Sequence, residues 1–565
     1  MNKAAFLHIP DSRYCFAISD TELVIRLRVA KEDKDLAISL VYGDKYSYQD
    51  RQEESPMTLA FVDHLHAYFE ARLQLSDVRF VYIFKVQDDK EALFYSESGF
   101  SKEYDFSIAF YDCFQMPYIN PIDVHRVVDW ADDAVFYQIF VDRFYRGDID
   151  KDDSYINMAW TDKPLPTSFA GGDLDGIRQK LSYLKSLGVN TIYLTPIFKS
   201  ISNHKYDIND YYEIDRQFGT KISSKALVDE LHALGMRIVM DAVFNHSSDL
   251  WEPFQDVLKN GGASTYFDWF MIDGDQPSIE KRNYETFATV AYMPKLNTSN
   301  LDVQNYLLEV TSYWTQEFKL DGWRLDVSDE VSHDFWRRFR KTVKSINPNL
   351  IIIGENWHDA YPYLQGDQYD GIMNYAFTKA CLDYFATESL SSVGMAERLN
   401  HILMRNTDAV NRMNLNLLDS HDTHRFLTQV KGSKDKLLAA TALLFTFVGI
   451  PCLYYGTELG MEGGYDPDCR RGFDWNKEHW DIELLEKMKS IIKLKQEPVT
   501  QKGSINISAT DDLLSLKRTF GQLTLELLIN NGKRGCVHAD NVVIQNGFSN
   551  SVLKANGFLI HISAL

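Results

Sequence analysis

What most limits the fold of this chain is a series of eight short apolar runs, at residues 135–140, 191–194, 237–242, 322–327, 350–353, 371–374, 413–418 and 451–455, with helix-like stretches between them. Strands that are apolar on both faces need cover on both sides, and parallel neighbours need helical crossovers. Eight such units in succession predict a closed α/β cylinder, the (β/α)8 TIM barrel. Ahead of it, residues 21–29 and 79–86 alternate apolar with polar, the period-two signature of antiparallel strands, so residues 1–125 are expected to form an N-terminal β-sandwich. Alternation returns at 513–517 and 523–527, and residues 491–565 are assigned to a C-terminal β-sandwich domain. The barrel then spans 126–490. Its segment 247–301 is too long and too aromatic for an ordinary loop and reads as a subdomain inserted after strand 3.

A chain of 565 residues exceeds what one hydrophobic core can hold, in keeping with this three-part division. Acidic residues outnumber basic ones 80 to 59, for a net charge of −21, and a surface of that sign repels nucleic acid and anionic membranes. The same acidity also has a plain reading as solubility. At the N-terminus His8, Pro10 and Asp11 interrupt the sequence before a signal-length apolar run develops. The most apolar window, 437–455, is broken by Thr441, Gly449 and Pro451 and reads as helix followed by strand. Six cysteines without paired spacing fit reduced thiols, so the expected location is cytoplasmic.

Barrel enzymes carry their reactive groups where strands end at the C-terminal face. Four of the predicted strand ends are rich in polar groups: Asp241 with Asn245 and His246, Arg324 with Asp326, Glu355 with Trp357, and Asp419 with His421 and Asp422. Hydrolysis of a glycosidic bond needs two carboxyl groups, one to attack or to activate water and one to protonate the leaving oxygen. Asp326 and Glu355, on neighbouring strands, suit that pair. Arg324 lies two residues before Asp326, on the same side of the strand, where its charge favours an ionised nucleophile. Glu355 must hold a proton near neutrality, which burial or a second carboxylate arranges. Asp422 supplies a third, assisting carboxylate, and His246 and His421 supply hydrogen bonds. Any one of these acids alone reads equally as a helix cap or half an ion pair; four clusters on one rim are harder to dismiss. His64, His66, His125 and His232 are read as surface or packed residues.

These segments resemble the motifs of the α-amylase family, glycoside hydrolase family thirteen. Asp241, Asn245 and His246 match its Asp-x-x-x-Asn-His motif, Gly322, Arg324 and Asp326 its Gly-x-Arg-x-Asp motif, Glu355 its acid/base motif, and His421 with Asp422 its His-Asp motif. Met293, Pro294, Lys295, Leu296 and Asn297 are similar to the signature of the neopullulanase, cyclomaltodextrinase and maltogenic amylase group. The resemblance implies a retaining α-glucan hydrolase that cleaves α-1,4 bonds, with some α-1,6 cleavage, in cyclomaltodextrins, maltooligosaccharides and pullulan, through a covalent intermediate on Asp326. For retaining enzymes it also implies carboxyl groups about 5 Å apart. It further implies that Tyr206 stacks on the sugar at the cleavage site, that Phe287 and Trp357 line positions beyond the scissile bond, that Glu330 sits on the acceptor side, and that the chain is a homodimer. No organic cofactor is implied.

Family members often bind calcium in the loop after the first barrel strand. Here Asp148, Asp150, Asp152 and Asp153, with Gly171 and Asp173, offer the hard oxygens that calcium prefers, although Arg146 stands where asparagine is usual; a solvated acidic loop is the other reading. Two rival functions remain. The first is an oligo-1,6-glucosidase or a transglycosylase on the same scaffold, of which the segment 293–297 disfavours the oligo-1,6-glucosidase; the second, a carbohydrate-binding protein without catalysis, is disfavoured by the intact set Arg324, Asp326, Glu355 and Asp422.

Overall fold

Each apolar run becomes a short parallel strand in the computed structural model, which describes residues 1–510, 512–532 and 535–564. The strands are β1 (Phe136–Ile139), β2 (Thr191–Leu194), β3 (Arg237–Ala242), β4 (Gly322–Leu325), β5 (Ile351–Gly354), β6 (Gly371–Ile372), β7 (Leu415–Leu417) and β8 (Ile450–Tyr454). They hydrogen-bond in the order β6-β5-β4-β3-β2-β1-β8-β7. A parallel bridge between Met373 and Leu415 joins the two ends and closes the barrel. Burial explains the continuous apolar runs: every residue of β5 is buried, since one face fills the barrel and the other meets the helices. Each such isoleucine contributes roughly 1.5–3 kcal/mol of transfer free energy.

The crossover helices are placed by their caps. Thr220 and Ser223 form a capping box at the start of α1 (Lys221–Ala233). Asn300 accepts from two backbone N–H groups of α2 (Leu301–Glu317), and Ser433 caps α3 (Lys434–Thr446). The apolar window 437–455 therefore divides into helix then strand, as its Gly and Pro predict. Among the described residues no helix is long and apolar enough to cross a membrane.

Strand β6 is only two residues long, and asparagine side chains complete the ladder around it. Asn414 Oδ1 accepts from the Ile372 N–H at 3.0 Å, Asn374 Nδ2 donates to Asn416 Oδ1 at 2.8 Å, and Asn416 Nδ2 donates to the Val448 carbonyl at 2.8 Å.

The N-terminal residues fold as two antiparallel sheets face to face, one of four strands and one of six. Leu23, Ile25, Leu27, Phe69, Phe84 and Val86 meet in the core between them. Arg26 ties this sandwich to the barrel, donating to Glu70 Oε2 at 2.9 Å, to the Asn406 carbonyl at 2.9 Å and to Asp408 Oδ1 at 2.5 Å. The C-terminal residues form a six-stranded antiparallel sheet whose long last strand, Val552–Ala564, pairs with three others. The segment 247–301 contains the α-helix Glu252–Asn260 and two 3-10 turns, Gly261–Ala263 and Phe267–Trp269, and four isolated bridges link the chain from His246 to Leu296. The sequence reading passed over an antiparallel hairpin between β2 and α1, Phe198–Ser200 with Ile208–Ile214, whose turn carries Tyr206. Cys15, Cys113, Cys381, Cys452 and Cys469 are free and buried.

His8 is sealed in the N-terminal sandwich, with Nδ1 at 2.8 Å from the Arg26 carbonyl and Nε2 at 2.7 Å from the Tyr82 hydroxyl. Burial lowers its pKa from 6.5 to about 4, against a smaller opposing effect of the Arg26 carbonyl. The folded state thus refuses a proton that the unfolded chain accepts, so the stability His8 provides is complete above pH 6.5 and is lost as the pH falls toward 4. Between pH 6.5 and about pH 5 the loss is about 2 kcal/mol. Thermal unfolding of wild type and His8→Gln across that range should show their difference in Tm shrinking with acidification; a constant difference would refute this assignment.

Candidate active site

The barrel register decides which side chains share the rim. Asp241 on β3 and Arg324 on β4 are direct cross-strand partners, as are Leu325 on β4 and Gly354 on β5. Asp326 and Glu355 each follow the last paired residue of their strand, and the ladder continues one bond further through Asp326 N–H to the Ala242 carbonyl and Glu355 N–H to the Leu325 carbonyl. A side chain at position 354 would lie 2.6 Å from the Tyr369 ring, so only glycine lets β5 deliver Glu355 at this height. The apolar run at 322–327 ends as a strand at Leu325 because the chain turns sharply: Val327 has φ 43°, a left-handed conformation costly for a β-branched residue. That turn aims the Val327 N–H at Glu355 Oε2, 3.0 Å away.

One guanidinium gathers the carboxylates. Arg324, 1% exposed, places Nη1 2.7 Å from Asp326 Oδ1 and 3.0 Å from Asp241 Oδ2, and Nη2 2.9 Å from Glu355 Oε2. The sequence reading had Arg324 select Asp326 alone; instead it faces all three acids. Three carboxyl groups around one positive charge cannot all ionise cheaply in a buried setting. Burial accordingly pushes Asp326 well above the ordinary carboxylate range, with Arg324 opposing, and it lifts Asp241 to about 6. Glu355 and Asp422 are raised as well, again first by burial. These groups titrate as one set.

Asp422, past the end of β7, approaches from the far side of the rim and is partly exposed. Its Oδ1 lies 3.3 Å from His421 Nε2 and 3.4 Å from Arg470 Nη2. Arg470 also holds Asp466 at 2.9 Å and donates to the His421 carbonyl at 2.8 Å. Arg470 was absent from the sequence reading, since it belongs to the loop after β8 and no local pattern links it to Asp422.

The histidines are neutral. Gln138 Nε2 donates to His421 Nδ1 at 2.7 Å, which leaves the proton on Nε2, 2.7 Å from the Tyr206 hydroxyl. Tyr206 in turn donates to Asp241 Oδ2 at 3.0 Å, and Tyr193 does so at 2.9 Å. The Tyr206 and His421 rings are parallel, with centroids 5.5 Å apart. Burial, then the charges of Arg470 and Arg324, drive the His421 pKa far down; burial and Lys295 lower His246 to about 3. His246 stacks on Phe287 at 4.8 Å, and its buried Nε2 has no partner among the described residues.

Two further residues frame the rim. Trp357 is 54% exposed and lies flat on Tyr375, with centroids 3.6 Å apart. Glu330 pairs with Lys295 at 2.9 Å, and the same ammonium contacts Asn245 Oδ1, so the segment 293–297 is tied to the rim through a lysine the sequence reading gave no role. The loop after β1 is arranged otherwise than an oxygen cage. Asp148 accepts from the Asp150 N–H, Asp152 from the Ser154 N–H, and Asp153 faces Arg146, while Asp173 and the Gly171 carbonyl converge on Lys151 Nζ. No group of three or more His, Cys, Asp or Glu side chains among the described residues is placed to hold a metal ion.

A closed parallel barrel whose C-terminal rim presents four buried or half-buried acids and one shared guanidinium is the layout of a barrel hydrolase. The chain belongs to the α-amylase family: its residues 138–502 match the α-amylase catalytic domain, and residues 1–120 match the α-amylase N-terminal immunoglobulin-like domain. It is 43% identical to a cyclomaltodextrinase of Thermoanaerobacter pseudethanolicus over 94% of this chain and 93% of that protein. It is 40% identical to neopullulanase 2 of Thermoactinomyces vulgaris over 93% of this chain and 91% of that protein. A solved cyclomaltodextrinase structure, 37% identical, superposes with a TM-score of 0.91 over 100% of this chain and 98% of that one.

Arg324→Lys keeps the charge but loses the planar fork that reaches three acids at once. Its kcat/KM should fall at least about a hundredfold, and the acid limb of the pH–rate profile should move to higher pH because the less compensated carboxyls hold protons longer. A variant with unchanged rate and profile would remove Arg324 from the account.

Proposed function

We propose that this chain is a retaining α-glucan hydrolase that cleaves α-1,4-glucosidic bonds, with some α-1,6 cleavage, in cyclomaltodextrins, maltooligosaccharides and pullulan. The observation that carries the reading is the meeting of Asp326 and Glu355, from adjacent strands, on the two arms of one buried guanidinium. Asp326 makes the shortest contact with Arg324, whose charge opposes the rise that burial imposes on it, and this suits the nucleophile. Glu355 has a longer contact and feels the charge of Asp422, and burial raises its pKa, which suits the acid/base.

In the first step Glu355 protonates the glycosidic oxygen while an Asp326 oxygen bonds to the anomeric carbon, and the C–O bond to the leaving sugar breaks. In the second step Glu355, now ionised, takes a proton from water, whose oxygen attacks the same carbon and releases Asp326. Asp422, with Arg470 behind it, accepts from sugar hydroxyls. Tyr206 lends a ring face, and the unpartnered His246 Nε2 completes the hydrogen bonding. The Trp357 face and the Glu330–Lys295 pair line the acceptor side, an arrangement that favours some transfer to a second sugar in place of water.

We further place the protein in the cytoplasm as a homodimer. The free buried thiols support the compartment, and the exposed Ile108, Phe110 and Tyr111 of the N-terminal sandwich support association.

Asp326→Asn should lower turnover of β-cyclodextrin and maltotriose by at least about a thousandfold, with calorimetric binding retained. Glu355→Gln should lose comparable turnover on these substrates but keep rapid glycosyl-enzyme formation from α-glucosyl fluoride, whose leaving group needs no proton. Full turnover in the Asp326 variant would overturn the assignment. Light scattering that gives a monomer mass would remove the dimer.

A further inference from the structure

The loop after β1 contains a cation of its own. Lys151 Nζ lies 2.8 Å from Asp173 Oδ2, 2.7 Å from the Gly171 carbonyl and 2.8 Å from the Gln217 carbonyl. Two of the three N–H donors of the ammonium go to the carbonyls, and the Asp173 carboxylate faces it as an ion pair. The side chain is 8% exposed, and that of Asp173 is 2% exposed. The cradle is built to size. The other oxygen of Asp173 accepts from the N–H groups of Gly147 and Gly176, and Oδ2 also accepts from Asp148 N–H. Gly171 has φ 89°, a conformation that favours glycine, and a methyl group on Gly176 would lie 1.9 Å from the Tyr145 carbonyl oxygen, so those two backbones meet at a separation that only glycine permits.

Two of the six residues that sequence resemblance points to for calcium, Gly171 and Asp173, are thus engaged by Lys151. The other four are turned elsewhere: Asp150, Asp152 and Asp153 are exposed, and Asp148 caps its own turn. Calcium takes 6–8 oxygens at about 2.3–2.6 Å, and a divalent ion among these oxygens would lie against the ammonium. The residues present therefore do not fit a calcium ion.

We propose that Lys151 is a tethered cation that replaces a metal in this loop, clamping three separate segments and making the fold independent of calcium. The segments are the loop after β1, the stretch leading into the helix Leu174–Gln179, and Gln217, three residues beyond the hairpin strand Ile208–Ile214 that follows the Tyr206 turn. Lysine achieves with two hydrogen bonds and one ion pair what a metal achieves with a full coordination shell, and it cannot be removed by a chelator.

The test uses the full chain. Wild-type Tm should be the same in EDTA and in millimolar calcium, and isothermal calorimetry should register no calcium uptake. Lys151→Met keeps the stem and removes the charge and donors, leaving Asp173 buried without its cation; its Tm should drop by several degrees in both buffers. A wild type that loses stability in EDTA, a wild type that takes up calcium, or a Lys151→Met variant as stable as wild type would each overturn the proposal.

Discussion

A buried guanidinium that faces three carboxyl groups is stable only if nothing around it moves. Stripping water from Arg324, Asp241, Asp326 and Glu355 costs several kcal/mol per ion, and the contacts at 2.7–3.0 Å offset that cost only while their geometry holds. The barrel supplies the geometry. Cross-strand register sets Asp241 beside Arg324 and Glu355 one step above Leu325, so the charge cluster depends on strand pairing. The excess of acids over cations is also what makes the rim reactive, because it leaves a proton in the set near neutral pH.

The shell around the cluster adds direction without adding charge. Burial beside Arg324 and Arg470 keeps His421 neutral, and the Gln138 amide fixes its tautomer. The proton chain then runs in one sense, from His421 to Tyr206 to Asp241. Reversing the Gln138 amide would turn Nδ1 into the donor and leave Tyr206 to face a bare Nε2. A neutral residue on β1, far from any acid in sequence, thereby sets the hydrogen bonds of a ring on the rim.

How much of this could be read in advance follows from what is local. The eight strands were legible because burial on both faces writes itself as continuous apolar runs, and the rim acids because each lies at or a few residues beyond the end of its run. Arg470 was not, since its pairing with Asp422 joins the loops after β7 and β8 through space alone. The left-handed turn at Val327 was not, because a valine gives no signal for positive φ; the strand was read two residues too long for that reason. The role of Arg324 was half legible: period two placed it beside Asp326, but Asp241 and Glu355 reach it only once the barrel is closed. Lys151 gives no local signal among four aspartates, because its partners Gly171, Asp173 and Gln217 are distant in sequence.

The asparagines at the β6–β7 seam have a consequence for how this sequence can vary. Strand propensity alone would favour valine or isoleucine at 414 and 416, and a substitution chosen on that ground would pass any local test. Yet Asn414 and Asn416 act as backbone surrogates, supplying an acceptor to Ile372, an acceptor to Asn374 and a donor to Val448 where the two-residue β6 has too few of its own. Replacing them would loosen one of the eight seams of the cylinder. At this seam the better strand former is therefore the worse residue, because a valine or isoleucine side chain offers the neighbouring backbone neither an acceptor nor a donor.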